Sequence, residues 1–148
     1  MASATFHEDF SRICGLRVDT ADRAPGWDVL SSSDIVYAFL ESELTARNIG
    51  AEWTPSVSAE PGVVYLRVAK GVYRTRLTHL TQLTPYLRGF EFAHVNRALI
   101  ARVDALKTFK LQFRIGFQVR NTTDWLRASQ RNFKQLRARF GIKPSDFR

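Results

Sequence analysis

The side chains that most often carry catalysis or bind metals are few and scattered in this chain. His7, His79 and His94 lie far apart and do not have the spacing of a metal-binding motif. Cys14, the one cysteine, lies on the apolar face of a predicted helix, where the expected role is that of a small buried residue. The glycines form no phosphate-binding loop of the GxxxxGKS type. The sequence therefore predicts no catalytic site, no bound metal and no cofactor.

Arginine is the residue type with the clearest chemical meaning here. A guanidinium group can donate two hydrogen bonds at once to phosphate oxygens or to the O6/N7 edge of guanine. Residues 1–62 contain ten acidic and four basic residues, whereas residues 63–148 contain four acidic and eighteen basic ones; their net charges are −6 and +14 within a total of +8. A basic second half suits a polyanion such as nucleic acid. A basic domain that is only highly soluble is the alternative.

Length and composition favour a single soluble domain. A chain of 148 residues can bury roughly 68–70% of its unfolded surface in one domain. No apolar run is long enough to cross a membrane, and the N-terminus lacks the features of a signal peptide. One cysteine allows no internal disulfide, which fits a reducing compartment. We therefore expect a cytoplasmic protein without membrane contact.

The first part of the chain is predicted to contain a helix, a linker and one ambiguous segment. Apolar residues from 6 to 14 recur at helical spacing, so residues 1–26 are predicted to be an N-terminal helix followed by a linker. Residues 31–44 fit either a strand or a helix, and the strand is slightly favoured. Residues 51–62 have the composition of a loop.

The second part is predicted to be mostly strands. Residues 64–77 read as a hairpin with arginines on one face. Residues 92–106 read as one strand. Residues 111–119 alternate apolar and polar side chains over nine positions, which also predicts one strand, with a bulge or turn at Gly116 as the alternative. Ser129 is predicted to cap a final helix that ends at Gly141. The predicted fold class is mostly β with short helices.

Three short elements, in order, resemble the LytTR family of bacterial DNA-binding domains. The run from Phe92 to Leu106 is similar to the family's central His-Arg-Ser-Tyr-Leu-Val-Asn signature. Ser129-Gln-Arg131 resembles its Ser-Arg-Arg element, and residues 65–80 are similar to its hairpin and following short helix. The sequence departs from the signature, because asparagine, alanine, leucine and arginine replace histidine, serine, tyrosine and asparagine. These departures lie at the following positions: Asn96, Ala98, Leu99 and Arg102.

The resemblance implies a LytTR-like antiparallel β-sheet domain over residues 27–143. The match is best over residues 63–140, and residues 144–148 are a tail. It also implies that loops, rather than a recognition helix, enter the grooves of duplex DNA. Arg97 and Arg131 match positions that contact bases or backbone in such domains.

Further DNA contacts are predicted on weaker similarity around these two arginines. They are Asn96, Arg102, Ser129, Asn132 and Lys134. Two of them also have a purely structural explanation, since Ser129 could only cap its helix and Arg102 could pair with Asp104.

The function that the resemblance implies is sequence-specific binding of duplex DNA by a transcriptional regulator that is not an enzyme. The residues before the match are too few for a receiver domain, so we expect control by a homodimer contact or a regulatory protein partner through the N-terminal helix, or by the abundance of the protein. One alternative is a protein-interaction module that has kept the scaffold and lost DNA binding. Another is RNA binding through aromatic and arginine side chains on strands.

Overall fold

The computed structural model describes residues 9–20, 26–51, 60–111 and 115–142. These residues form two antiparallel sheets with short helical segments between the strands. The strands are β1 (Arg12–Arg17), β2 (Trp27–Ser31), β3 (Ile35–Leu40), β4 (Ile49–Gly50), β5 (Val64–Val68), β6 (Gly71–Arg74), β7 (Phe92–Asn96), β8 (Leu99–Arg102), β9 (Leu106–Leu111), β10 (Ile115–Val119) and β11 (Trp125–Arg127). The helices are α1 (Glu41–Thr45), α2 (Gln130–Phe140) and the 3₁₀ segments Ser32–Asp34, Leu80–Leu87 and Val103–Ala105. The predicted class, mostly β with short helices, is confirmed.

The chain alternates between the two sheets. The large sheet has seven strands in the order β2-β1-β6-β5-β3-β8-β7, and the small sheet has four in the order β4-β11-β10-β9. The chain passes from the large to the small sheet through α1, which leads from β3 to β4, and again through Val103–Ala105, which leads from β8 to β9. Helix α2 packs beside β7, which is an edge strand of the large sheet.

The main core lies between the two sheets and is closed by α2. Tyr37 and Phe39 of the large sheet are fully buried against Phe109 and Phe117 of the small sheet. The Phe133 ring of α2 lies with its centroid 4.9 Å from that of Phe109 and 5.6 Å from that of Phe117. Such aromatic pairs contribute about 0.5–1.5 kcal/mol each beyond their buried area. This contact fixes α2 against the small sheet.

A second core covers the other face of the large sheet. Leu83 of the 3₁₀ segment Leu80–Leu87 is fully buried there. The hairpin of β1 and β2 contributes Ile13 and Leu30 to the same cluster. Because both faces of the central strands are covered, β3 and β5 are apolar over most of their length.

The prediction of an N-terminal helix is wrong for the last of its residues. Residues Arg12–Arg17 form strand β1, which pairs with β2 and β6, and residues 1–8 lie outside the described residues. Alternate side chains of β1 are buried, so Ile13 is covered whereas Cys14 is exposed and not buried as predicted. At these positions there is therefore no helix that could make the predicted contact with a partner.

Two predicted single strands are hairpins. Residues 92–106 contain β7, a turn and β8, and Phe92 pairs with Arg102. Residues 111–119 contain the end of β9 and all of β10, with Leu111 opposite Ile115, and residues 112–114 lie outside the described residues. Side chains directly opposite each other in a hairpin point to the same face of the sheet. The alternation of apolar and polar residues therefore continues unchanged when the chain reverses, so the pattern does not reveal the turn.

Two other predictions are confirmed. Residues 35–40 form a strand, β3, as favoured, and α1 follows it directly. In α2, the Ser129 side chain accepts a hydrogen bond from the Asn132 backbone N–H at 3.2 Å, and Gly141 ends the helix with φ of 62°. None of the helices in the described ranges is long and apolar enough to cross a membrane.

Candidate nucleic-acid interface

The turn between β7 and β8 presents Arg97 on a fixed main chain. The Asn96 Oδ1 atom accepts a hydrogen bond from the Arg97 N–H at 2.9 Å. On the far side of the turn, the Leu40 N–H donates to the Ala98 carbonyl at 3.0 Å, and the Ala98 side chain is buried. The Arg97 side chain is exposed, and no acidic side chain in the described ranges pairs with it. Its guanidinium is therefore available to a ligand.

The first turn of α2 lies beside this turn. The Ser129 N–H donates to the Val95 carbonyl at 3.2 Å, which ties the start of the helix to β7. As a result Arg97, Arg131 and Asn132 line one groove between β7 and α2, although the two arginines are 34 positions apart in the sequence. Arg131 is exposed and Asn132 is half-buried.

The groove is basic at its rim and apolar at its base. Arg139 also lines it and lies 3.7 Å from the exposed Glu91 carboxylate, a weak surface pair. Phe92 and Leu136 form part of the apolar base. A surface of this kind can bind an extended anion along its rim, because exposed guanidinium groups bind phosphate without a large desolvation cost.

Three predicted residues take other positions around the groove. Ser129 is half-buried, and its side chain caps the N-terminus of α2, which is the structural role predicted for it as the alternative to DNA contact. Asn96 is half-buried and uses its amide within the protein, donating from Nδ2 to the Arg127 carbonyl at 3.3 Å. Lys134 is exposed on α2 but does not line the groove with Arg97 and Arg131.

Arg102 lies at the other end of the β7–β8 hairpin, away from Arg97. Its Nη1 donates to the Ser33 carbonyl at 2.9 Å, and its Nε lies 2.8 Å from the Asp104 carboxylate. The guanidinium also lies 4.3 Å from the centre of the Phe90 ring. The predicted pairing with Asp104 is thus present, and the structure does not bring Arg102 together with the other predicted residues.

Arg127 and the turn before β4 were absent from the sequence predictions. Arg127 is exposed at the end of β11, and its N–H donates to the Asn48 carbonyl at 2.7 Å. Asn48, Asn96 and Arg127 line a second depression next to the start of α2. The only sequence signal was an arginine two positions before Ser129, because nothing in the sequence pairs residues 48–50 with residues 125–127.

A buried carboxyl supports the turn that precedes β4. Glu43 is 5% exposed, and its Oε2 accepts a hydrogen bond from the Asn48 side chain at 2.9 Å. Burial raises the pKa of the Glu43 carboxyl above its usual range, and the Asn48 hydrogen bond acts in the opposite direction. The Asn48 N–H also donates to the Glu43 carbonyl at 2.8 Å. Glu43 therefore holds Asn48 in place beside Arg127.

No family model matches the sequence, and no curated protein matches it. The structure is similar to a solved LytTr DNA-binding domain from Bacillus cereus, with a TM-score of 0.54 and 15% sequence identity. The similarity covers 87% of this chain and 98% of the other. The predicted resemblance is thus confirmed at the level of three-dimensional structure, and this chain has the fold of a LytTR-type domain.

Proposed function

We propose that this protein binds duplex DNA and acts as a sequence-specific transcriptional regulator without catalytic activity. The observation that carries the proposal is the meeting of Arg97 and Arg131 on one groove, produced by the hydrogen bond from Ser129 to Val95. Both side chains are exposed, and their charge is of the sign that phosphate requires. The similar Bacillus cereus domain is described as DNA-binding, which supports the same assignment here.

In this proposal the two arginines bind from different elements. Arg97 projects from a turn and Arg131 from the first turn of a helix, so each can contact a base edge or a phosphate separately. Asn132 and Lys134 would contact phosphates beside them. Arg102 has no place in the interface, because Ser33 and Asp104 hold its guanidinium at the other end of the hairpin.

The DNA-binding unit is proposed to comprise residues 27–143 together with β1, since β1 pairs with both β2 and β6 of the large sheet. Regulation by a second copy or by another protein would act on this unit in the cytoplasm. Its basic charge, +14 over residues 63–148, favours a polyanionic partner.

The proposal is tested by the salt dependence of binding to duplex DNA, measured by fluorescence anisotropy. If about six phosphates are neutralised, the logarithm of the affinity falls with the logarithm of the salt concentration at a slope near −5. Single-stranded RNA should compete poorly at equal nucleotide concentration. Absence of binding to any duplex at low salt, or stronger binding to the RNA, would contradict the proposal.

A protein-interaction module is the second candidate, and one observation favours it. Trp27 and Val29 are 38% and 65% exposed on β2, which is an edge strand of the large sheet. Exposed apolar side chains on an edge strand are typical of a surface that binds another chain. A folded protein that binds no duplex DNA and whose association with a partner is lost on Val29→Lys substitution would favour this candidate.

A further inference from the structure

Arg127 has an exposed side chain on a main chain that is fixed from both sides. Its N–H donates to the Asn48 carbonyl at 2.7 Å, and its carbonyl accepts a hydrogen bond from the Asn96 Nδ2 at 3.3 Å. No acidic side chain in the described part of the chain pairs with its guanidinium. Arg127 also lies only two residues before Ser129, which opens the helix that carries Arg131.

Asn96 connects this arginine to Arg97. The Asn96 Oδ1 accepts from the Arg97 N–H at 2.9 Å while its Nδ2 donates to the Arg127 carbonyl. An amide provides an acceptor and a donor on one uncharged planar group, which a carboxylate or a hydroxyl at this place cannot do in the same geometry. One side chain therefore sets the separation between the turn of the large sheet and the end of β11.

We propose that Arg127 is a further DNA-contacting residue and that Asn96 is a positioning residue that holds Arg97 and Arg127 at a fixed separation. This inference rests on the proposed function. A guanidinium group on a fixed main chain has less freedom to lose on binding, so more of its hydrogen-bond energy appears as affinity. Asn96, which sequence similarity placed among the DNA contacts, acts here through its neighbours.

The role of Arg127 is tested by Arg127→Ala, measured on the duplex that the wild-type protein prefers. The expected loss of affinity is about 5- to 150-fold. Arg88→Ala is the matched control, because Arg88 is exposed, the charge change is the same, and Arg88 lies two residues before Phe90, whose ring the Arg102 guanidinium contacts at the other end of the hairpin. We expect Arg88→Ala to bind nearly as wild type. Equal losses for both variants would show a general charge effect and overturn the assignment.

The positioning role is tested by combining substitutions. Asn96→Ala should weaken binding and relax base preference in the wild-type protein, with an unchanged slope against salt. It should have little further effect in the Arg97→Ala/Arg127→Ala variant, because the residues it positions are gone. An equal loss in both backgrounds would overturn the role.

If Asn96→Ala does not fold, Asn96→Ser makes the same test without adding a charge, since a hydroxyl cannot bond to the Arg97 N–H and to the Arg127 carbonyl in the geometry of the amide. Thermal unfolding by circular dichroism shows which variants are folded. A folded wild-type protein that binds no duplex would contradict the proposed function itself, whereas wild-type binding that is unaffected by Arg127→Ala would contradict only this inference.

Discussion

Replacing Asp124 by alanine is expected to destabilise the fold strongly, because this carboxylate joins the two sheets. Asp124 lies between β10 and β11 of the small sheet and is 1% exposed. Its Oδ2 accepts a hydrogen bond from the Tyr37 hydroxyl at 2.7 Å and another from the Arg67 Nε at 2.9 Å. Tyr37 and Arg67 lie on β3 and β5 of the large sheet. One oxygen atom therefore receives a neutral and a charged hydrogen bond across the junction.

The magnitude follows from the burial of the pair. The Arg67 side chain is 14% exposed, so Asp124→Ala leaves a nearly buried cation without its carboxylate. Removing one partner of a buried ion pair costs about 3–5 kcal/mol. Arg67 keeps some exposure and a second hydrogen bond, to the Val68 carbonyl at 2.7 Å. We therefore expect the lower end, about 3 kcal/mol, which corresponds to a fall in Tm of about 6–12 °C in a domain of this size.

Urea unfolding followed by circular dichroism measures the free energy of unfolding for each variant. Tyr37→Phe removes one hydrogen bond and keeps the ion pair, so its expected loss is smaller, about 1 kcal/mol. The double variant Arg67→Met/Asp124→Leu replaces both charges by apolar side chains and should recover much of the loss. If Asp124→Ala loses less than about 1 kcal/mol, or the double variant is less stable than Asp124→Ala, the ion pair does not join the sheets as argued.

Two further substitutions test local features by the same unfolding measurement. The pKa of the Glu43 carboxyl is raised in the folded protein. The protonated carboxyl therefore stabilises the wild-type protein relative to Glu43→Gln fully below the ordinary carboxyl pKa, and this stabilisation is lost as the pH rises through the raised pKa. A difference in free energy of unfolding between the two proteins that does not vary with pH would contradict this. At Gly116, an added Cβ would lie 2.5 Å from both the Leu126 carbonyl oxygen and the Trp125 Nε1, so Gly116→Ala should cost about 1–3 kcal/mol. Gly26→Ala, whose Cβ meets no atom of the described residues within 4 Å, is the control and should be nearly neutral; equal effects would contradict the steric argument.

Helix α2 could be predicted almost completely from local sequence. Its start and end depend on neighbours in the chain: the Ser129 side chain bonds to a backbone N–H three residues later, and Gly141 takes a positive φ that favours glycine. Its buried positions, Phe133 and Leu136, follow the helical period. Because no distant contact is needed to define these features, the sequence alone carried them.

The hairpins were harder because a reversal of the chain leaves alternation intact. Asn96 and Arg97 resemble polar interruptions of one strand, but Asn96 is the last residue of β7 and Arg97 lies in the turn that leads to β8. The helix predicted at β1 is wrong for a related reason. Residues 10, 13 and 14 have helical spacing, whereas the pairing with β2 and β6 that makes this segment a strand cannot be recognised from the local sequence. Tertiary pairing overrides a short periodic pattern in such cases.

The candidate site divides in the same way. Arg97 and Arg131 could be selected by resemblance, and the structure brings them to one groove, whereas their role in binding stays a prediction. Arg127 could not be selected, because its position depends on the two-residue strand β4 pairing with β11 across more than seventy residues of sequence. Arg102 is the opposite case, because it was selected from the sequence although the structure does not bring it to the other predicted residues. Its guanidinium donates to the Ser33 carbonyl, a contact that cannot be recognised from the sequence.

The central claim is tested most directly by selecting preferred duplexes from a random pool with the purified protein, and repeating the selection with Arg97→Ala and Arg131→Ala. We predict an enriched motif for the wild-type protein, with base preference lost or relaxed at different positions in the two variants. Recovery of no motif, with only weak salt-sensitive binding that both variants share, would contradict sequence-specific recognition by this surface.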